Sequence, residues 1–268
     1  MLFGCCVGIA GEGGKPNTSK LADLKAIGFD YAELGCVQVA ALDEEGFEQL
    51  RKAFDRLSLP CLCMNVFFPG HIRLTGPEAD HDTALAFARD AVGRMAVLGT
   101  RTVVLGSSGA RNVPAGTTLL SGMDQMADFA NKLADIVEPA GVTVALEPLN
   151  RQESNILNRV PEAAALARRV GRPGIRALAD TFHMNLSNEP ITNIVDAAPY
   201  LAHVHVANAL RRGMPSMAAH ENLAEVFTAL HRIGYDGTVS LEAGVQGDFV
   251  KEASDALTCL RTLHEQAG

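Results

Sequence analysis

Eight short apolar runs, each followed by a longer amphipathic stretch, constrain the fold of this chain more than any other feature. The runs cover 2–9, 29–34, 60–67, 101–105, 142–146, 175–179, 201–206 and 237–241. Runs of this length between turn residues read as buried strands. They recur about every 33 residues over a chain of 268. The stretches between them carry helical stripes. Residues 79–98 place Ala84, Phe87, Ala88, Ala91, Val92 and Met95 at spacings of three and four, the period of one helix face. Residues 118–140 repeat this through Leu119, Met126, Phe129, Leu133 and Ile136, and Leu223, Val226, Phe227 and Leu230 do so before Gly234. Gly28, Gly99, Gly141 and Gly234 each precede a strand, where a helix end favours a left-handed residue.

Strands alternating with helices imply a parallel sheet with right-handed crossovers. Eight such units predict an α/β fold, a single (β/α)8 TIM barrel spanning residues 1–268 as one domain. A doubly wound open sheet is the alternative. It would usually carry a phosphate loop after the first strand, and GEGGKPN at 11–17 matches neither GxGxxG nor GxxxxGK[ST]. No linker or low-complexity run interrupts the pattern. Lys and Arg number 23 against 31 Asp and Glu, a formal net charge of −8. That balance argues against a nucleic-acid partner, which needs a basic footprint. No apolar run is long enough for a membrane helix, and MLFGCCVGIAGEGG lacks the basic segment of a secretory signal. The cysteines at 5, 6, 36, 61, 63 and 259 show no CxxC pair. These features predict a reduced, cytoplasmic protein with no membrane partner.

In such a barrel, chemistry sits where strands end. Strand five ends VALEPLN, with Glu147. Strand six ends ALADTFHMN, with Asp180 and then His183. Strand seven ends AHVHVAN, with His203 and His205, and strand eight ends VSLEAG, with Glu242. The spacings between Glu147, Asp180, His205 and Glu242 are 33, 25 and 37, each about one unit. Three carboxylates meeting at one mouth repel one another, so one must hold a proton unless a cation compensates. A divalent metal answers this. Oxygen-rich ligation with one imidazole suits Mn²⁺, Mg²⁺ or Co²⁺ better than a structural zinc.

LEPLNRQES, ADTFHMN, HVHVANALRRGMP and SLEAG resemble the metal-binding signatures of the xylose-isomerase-like sugar isomerase/epimerase barrels. The resemblance is nearest to the ketose 3-epimerase (tagatose/psicose epimerase) branch and strongest from about residue 100 onward. It implies Glu147, Asp180, His205 and Glu242 as ligands of one divalent ion, Mn²⁺ first and Mg²⁺, Co²⁺ or Zn²⁺ as alternatives. It implies Glu153, His183 and Arg211 as substrate contacts, and Glu147 and Glu242 as the acid/base pair. It also implies a small-molecule carbohydrate substrate and a homo-oligomer, dimer or tetramer. The chain departs from the branch in having no Trp and in RGMPSMAAHENLAEVF, which lacks the family's glycine-rich stretch.

Such a set permits isomerisation or epimerisation of a keto-sugar or related polyol through an enediolate. A metal-dependent lyase or dehydratase acting on a 3-keto-glycoside or keto-inositol shares the first step and is the alternative. Endonuclease IV, which resembles the same superfamily, needs further His ligands, whereas strands two to four here end in Glu33, Asn65 and Ser107. A binding protein that lost catalysis would have no need of both Glu147 and Glu242. His203 reads as a buried support rather than a ligand. Glu33 either contacts substrate or orders the barrel floor. His71, Arg73, Arg111 and Asn112 either shape the pocket or are plain loop residues. His81, His220, His231 and His264 read as solvated helix residues.

Overall fold

A computed structural model describes residues 1–11, 15–209 and 211–268. Positions 12–14 of the Gly-rich segment and position 210 lie outside the described residues. Eight parallel strands close in sequence order into a barrel: β1 (Leu2–Val7), β2 (Tyr31–Gly35), β3 (Cys63–Asn65), β4 (Thr102–Leu105), β5 (Thr143–Leu146), β6 (Ile175–Asp180), β7 (Leu201–Val206) and β8 (Thr238–Leu241). β8 pairs back onto β1 with Leu2 opposite Thr238. Each strand matches an expected apolar run. β3 is shorter than the run 60–67, because Pro60 has no N–H to donate and Val66 turns the backbone left-handed at φ 48°.

The long helices α1 (Ser19–Ile27), α3 (Glu44–Leu57), α4 (His81–Leu98), α6 (Leu119–Val137), α7 (Val160–Val170), α10 (Leu223–Arg232) and α11 (Phe249–Ala267) pack around the strands. α3 shows why. Asp43 caps it by accepting the Gly46 N–H at 2.7 Å, and Glu44 and Glu45 sit in its first turn, where the helix dipole favours negative charge. Its buried face carries Phe47, Leu50 and Phe54, each worth about 1.5–3 kcal/mol when fully buried. The four glycines expected at helix ends all have positive φ, from 67° at Gly234 to 100° at Gly28. Short helices α2 (Cys36–Ala40), α5 (Ser108–Arg111), α8 (Thr181–Leu186) and α9 (Thr192–Asp196) were not foreseen. α2 and α8 directly follow strand ends and α5 begins three residues after one, so these three frame the mouth of the barrel.

Side chains fill the barrel interior. Val104, Ala145 and Leu178 form a cluster separate from the strand–helix core, as interior layers do. Also inside the barrel, the Tyr31 ring lies over the intervening strand β1 and its hydroxyl lies 2.7 Å from Ser240 Oγ on β8. Gly4 faces that ring, and a Cβ there would lie 2.2 Å from a ring carbon, so only glycine fits. All six cysteines are unpaired. No described helix is long and apolar enough to cross a membrane.

Candidate metal centre

The ends of β5 to β8 bring the four expected ligands together. Glu147 follows β5, Asp180 closes β6, His205 is the penultimate residue of β7, and Glu242 follows β8. One donor atom from each lies within 4.8 Å of all the others. Strand ends place these side chains at fixed height, and burial holds their rotamers: Glu147, Asp180 and His205 are buried. Gly106 leaves room for Glu147, since a Cβ at 106 would overlap the Glu147 Oε2 atom. Asp180 Oδ1 accepts the backbone N–H groups of Phe182 at 2.7 Å and His183 at 3.2 Å. It thereby caps α8 and leaves Oδ2 for the cluster. Glu242 Oε1 accepts from Asn65 Nδ2 at 3.0 Å.

His205 presents its two ring nitrogens to different partners. Nδ1 lies 3.1 Å from Glu147 Oε1 and 3.4 Å from Glu242 Oε2. Nε2 lies 3.0 Å from Glu33 Oε1. The other Glu33 oxygen, Oε2, lies 3.0 Å from His203 Nε2. Glu33 is therefore a fully buried bridge between two histidines; of its two expected roles, the structure gives it the one at the barrel floor. His203 Nδ1 ends on Thr238 Oγ1 at 2.7 Å, and His203 lies outside the four-residue set.

Charge repulsion within the cluster is visible. Burial, then Glu242 and Glu147, push the Asp180 carboxyl up to about 8. Burial alone would raise Glu242 too, but the charges of His205 and Arg212 outweigh it and hold this carboxyl at about 2. His205 is pushed well above its ordinary value: burial opposes its charge, and Glu33 and Glu242 overcome it. Three carboxylates and an imidazole nitrogen, with the opposite ring nitrogen anchored on a fourth carboxylate, form an oxygen-rich donor set. That set fits a divalent cation.

The xylose isomerase-like TIM barrel model matches residues 21–263. The chain belongs to this family. Among its relatives, a D-psicose 3-epimerase from Agrobacterium fabrum (strain C58) is 34% identical over 130 residues, 47% of this chain and 41% of that protein. The matched stretch thus spans less than half of that relative's length. An L-ribulose 3-epimerase from Mesorhizobium japonicum is 28% identical over 229 residues, 83% of this chain and 74% of that one. Among solved structures, a 3-keto-D-glucoside 4-epimerase from E. coli superposes with a TM-score of 0.81 over 98% of this chain and 99% of its own, at 20% identity. At that identity the likeness shows the barrel fold.

On this xylose isomerase-like barrel, the three expected substrate contacts separate. Glu153 and His183 flank the cluster: His183 Nε2 is 3.7 Å from Asp180 Oδ2, and His183 Nδ1 is 3.9 Å from Glu153 Oε1. Arg211 is placed differently from these two. It is exposed and lines a separate surface pocket of about 490 Å³ with Asn208, Glu221, Glu252 and Asp255. Its neighbour Arg212 takes the place at the centre. Arg212 Nη2 donates to Glu242 Oε2 at 2.6 Å, Nη1 is 3.7 Å from Glu153 Oε1, and the guanidinium lies 4.9 Å from the Phe182 ring centre. Arg212 has a left-handed backbone, φ 48°. The Arg-Arg pair in the sequence carries no signal of which one turns inward.

Other site residues carried a partial signal or none. Arg111, open between pocket and loop, is wholly buried. Its Nη1 donates to Leu105 O at 2.8 Å, the same carbonyl that accepts the Glu147 N–H. Burial pushes Arg111 down to about 10 although Glu147 acts against this. Its Nε and Nη2 have no partner among the described residues. Asn112 and Arg73 knit loops together: Asn112 Nδ2 donates to Glu153 O at 3.2 Å, and Arg73 Nη2 donates to Asn112 O at 2.9 Å. His231 and His264 are half-buried rather than freely solvated, with Nε2 and Nδ1 2.7 Å apart. Beside the centre, a pocket of about 370 Å³ runs along Cys6, Gly8, Gly35, Gln38, Asn65 and Val66.

Proposed function

We propose that this chain is a divalent-metal-dependent isomerase or epimerase of a keto-sugar or related polyol, acting through an enediolate. The observation that carries this is the convergence of Glu147, Asp180, His205 and Glu242 at one mouth, with the His205 ring anchored on Glu33. The names of the relatives agree with it. Those four residues would hold the ion. A divalent cation supplies Lewis-acid stabilisation of the negative charge that develops on substrate oxygens; Mn²⁺ is our first choice, then Mg²⁺, Co²⁺ and Zn²⁺.

The chain's own residues account for the rest. Glu147 and Glu242 come from β5 and β8, so they can flank a bound substrate. One, as the carboxylate, takes a carbon-bound proton, and the other, as the carboxylic acid, delivers a proton to the opposite face. Asn65 and Arg212 each bind one oxygen of Glu242 and fix its orientation. His183 donates a hydrogen bond to the developing oxyanion. Glu153 and Arg212 hold substrate hydroxyls, and we assign to Arg212 the role expected of Arg211. The pocket beside Asn65 gives room for the remainder of a sugar and, among the described residues, is lined by no ionised side chain.

The test is incubation with ketoses, keto-inositols and 3-keto-glycosides in D₂O, with added Mn²⁺ and with EDTA. Metal-dependent deuterium entry into recovered sugar of unchanged skeleton supports the proposal. A product lighter by a leaving group selects the lyase reading, for which the fold likeness to a 3-keto-D-glucoside 4-epimerase suggests the substrate panel. No exchange on any substrate overturns both.

Metal binding has its own readout. A cation at about 100 times its Kd stabilises the folded state by about 2.7 kcal/mol, a rise in Tm of roughly 5–10 °C for a chain of this size. Thermal melts with each of the four metals and with EDTA measure it. A Tm indifferent to all four removes the metal from the reading. We also propose a homo-oligomer, dimer or tetramer, which light scattering after size-exclusion chromatography checks.

A further inference from the structure

We propose that Asn150 is a positioning residue that sets the ring tautomer of His183. The tautomer inference stands on hydrogen bonds alone; its catalytic consequence rests on the function proposed above. Asn150 Oδ1 is committed to the Gln152 N–H at 2.9 Å, so the end of the amide facing His183 is the NH₂ group. One hydrogen of Nδ2 points to Glu153 Oε1 at 2.8 Å. The other points to His183 Nδ1, also at 2.8 Å. The backbone N–H of Asn150 donates to the same ring nitrogen at 3.3 Å.

A ring nitrogen that meets two N–H donors must offer a lone pair, so the proton of neutral His183 sits on Nε2. His183 is buried, and its Nε2 has no hydrogen-bond partner among the described residues. That N–H therefore faces the carboxylate cluster, 3.7 Å from Asp180 Oδ2, free to donate to a substrate oxygen. The opposite tautomer would aim a lone pair at the same place and repel both a carboxylate and an oxyanion. The same amide group holds Glu153, so one residue sets both groups on the substrate side.

The experiment uses protein labelled with ¹⁵N-histidine, with His183 assigned by comparison with His183→Gln. A long-range ¹H–¹⁵N spectrum of the wild type is expected to show Nδ1 unprotonated and Nε2 protonated. Asn150→Asp keeps the shape of the side chain but replaces the donor with an acceptor. It is expected to protonate Nδ1 and to lower kcat about 100-fold, the cost of losing one oxyanion donor, with Mn²⁺ affinity unchanged. Asn150→Ala keeps the backbone N–H, so the tautomer stays and kcat falls only about 10-fold.

A residue needed only for shape gives the reverse order, with Ala worse than Asp. That order, a wild type protonated at Nδ1, or an Asp variant with an unchanged ring overturns the inference. The spectra need no substrate. If the wild type turns over no sugar, the proposed function falls while the tautomer is still decided.

Discussion

Glu147→Gln and Glu242→Gln are each expected to lower kcat about 1,000-fold, within the range that positioned acids and bases contribute. Both residues share the cluster at the barrel mouth, so the loss has two sources that must be separated. Gln keeps an oxygen that can ligate but cannot accept a carbon-bound proton at neutral pH. Metal content, measured on each purified variant, distinguishes a missing ion from a missing base. Asp180→Asn is the control. Its Oδ1 is occupied in capping α8 and it has no partner role in proton transfer, so its loss is restored by raising the metal concentration. An epimerase with one base left still exchanges the substrate proton on that base's side without forming product. Deuterium entry into unreacted sugar in one variant, with turnover lowered in both, is the expected pattern. Unchanged turnover in either metal-loaded variant sinks the acid/base assignment.

The second large effect lies one layer deeper. Glu33→Ala is expected to destabilise the fold by about 3–5 kcal/mol, the cost of removing one partner from a buried ionic set. Glu33 is fully buried, and its oxygens sit 3.0 Å from His203 Nε2 and 3.0 Å from His205 Nε2. Removing it takes away the carboxylate facing His203 and one of those facing His205, so both buried imidazoles lose stabilisation of their charged form. The same change frees the His205 ring to rotate, which costs about 10- to 100-fold in metal affinity. Glu33→Gln keeps one acceptor and should fall between Ala and wild type. Thermal melts read the first effect and competition with a metal-binding dye reads the second. A Glu33→Ala protein with wild-type Tm and metal affinity would show that the bridge does nothing.

The barrel was legible because its signals are local. Apolar runs with helical stripes between them set the order of elements, and a glycine before four of the strands marks a helix end. Tertiary packing trimmed that reading at edges, as where Val66 cuts β3 short, and added the four short helices. The convergence of Glu147, Asp180, His205 and Glu242 was legible for a related reason. In a parallel barrel every strand ends at the same mouth, so position along the strand is position in space.

What the sequence by itself determined about this protein is therefore the eightfold barrel and the residues that close its last four strands. Only the tertiary structure decided which side chains meet across the lumen and which atoms they present. Glu33 and His203 are 170 positions apart, and no periodicity links them. That Arg212 reaches Glu242 while Arg211 lies exposed depended on how one loop turns. The proton on His183 depended on an amide whose other end is held by Gln152. Strand order follows from burying apolar surface, which is averaged over many residues and written along the chain. Hydrogen-bond direction and side-chain facing follow from single contacts, and those exist only once the barrel has closed.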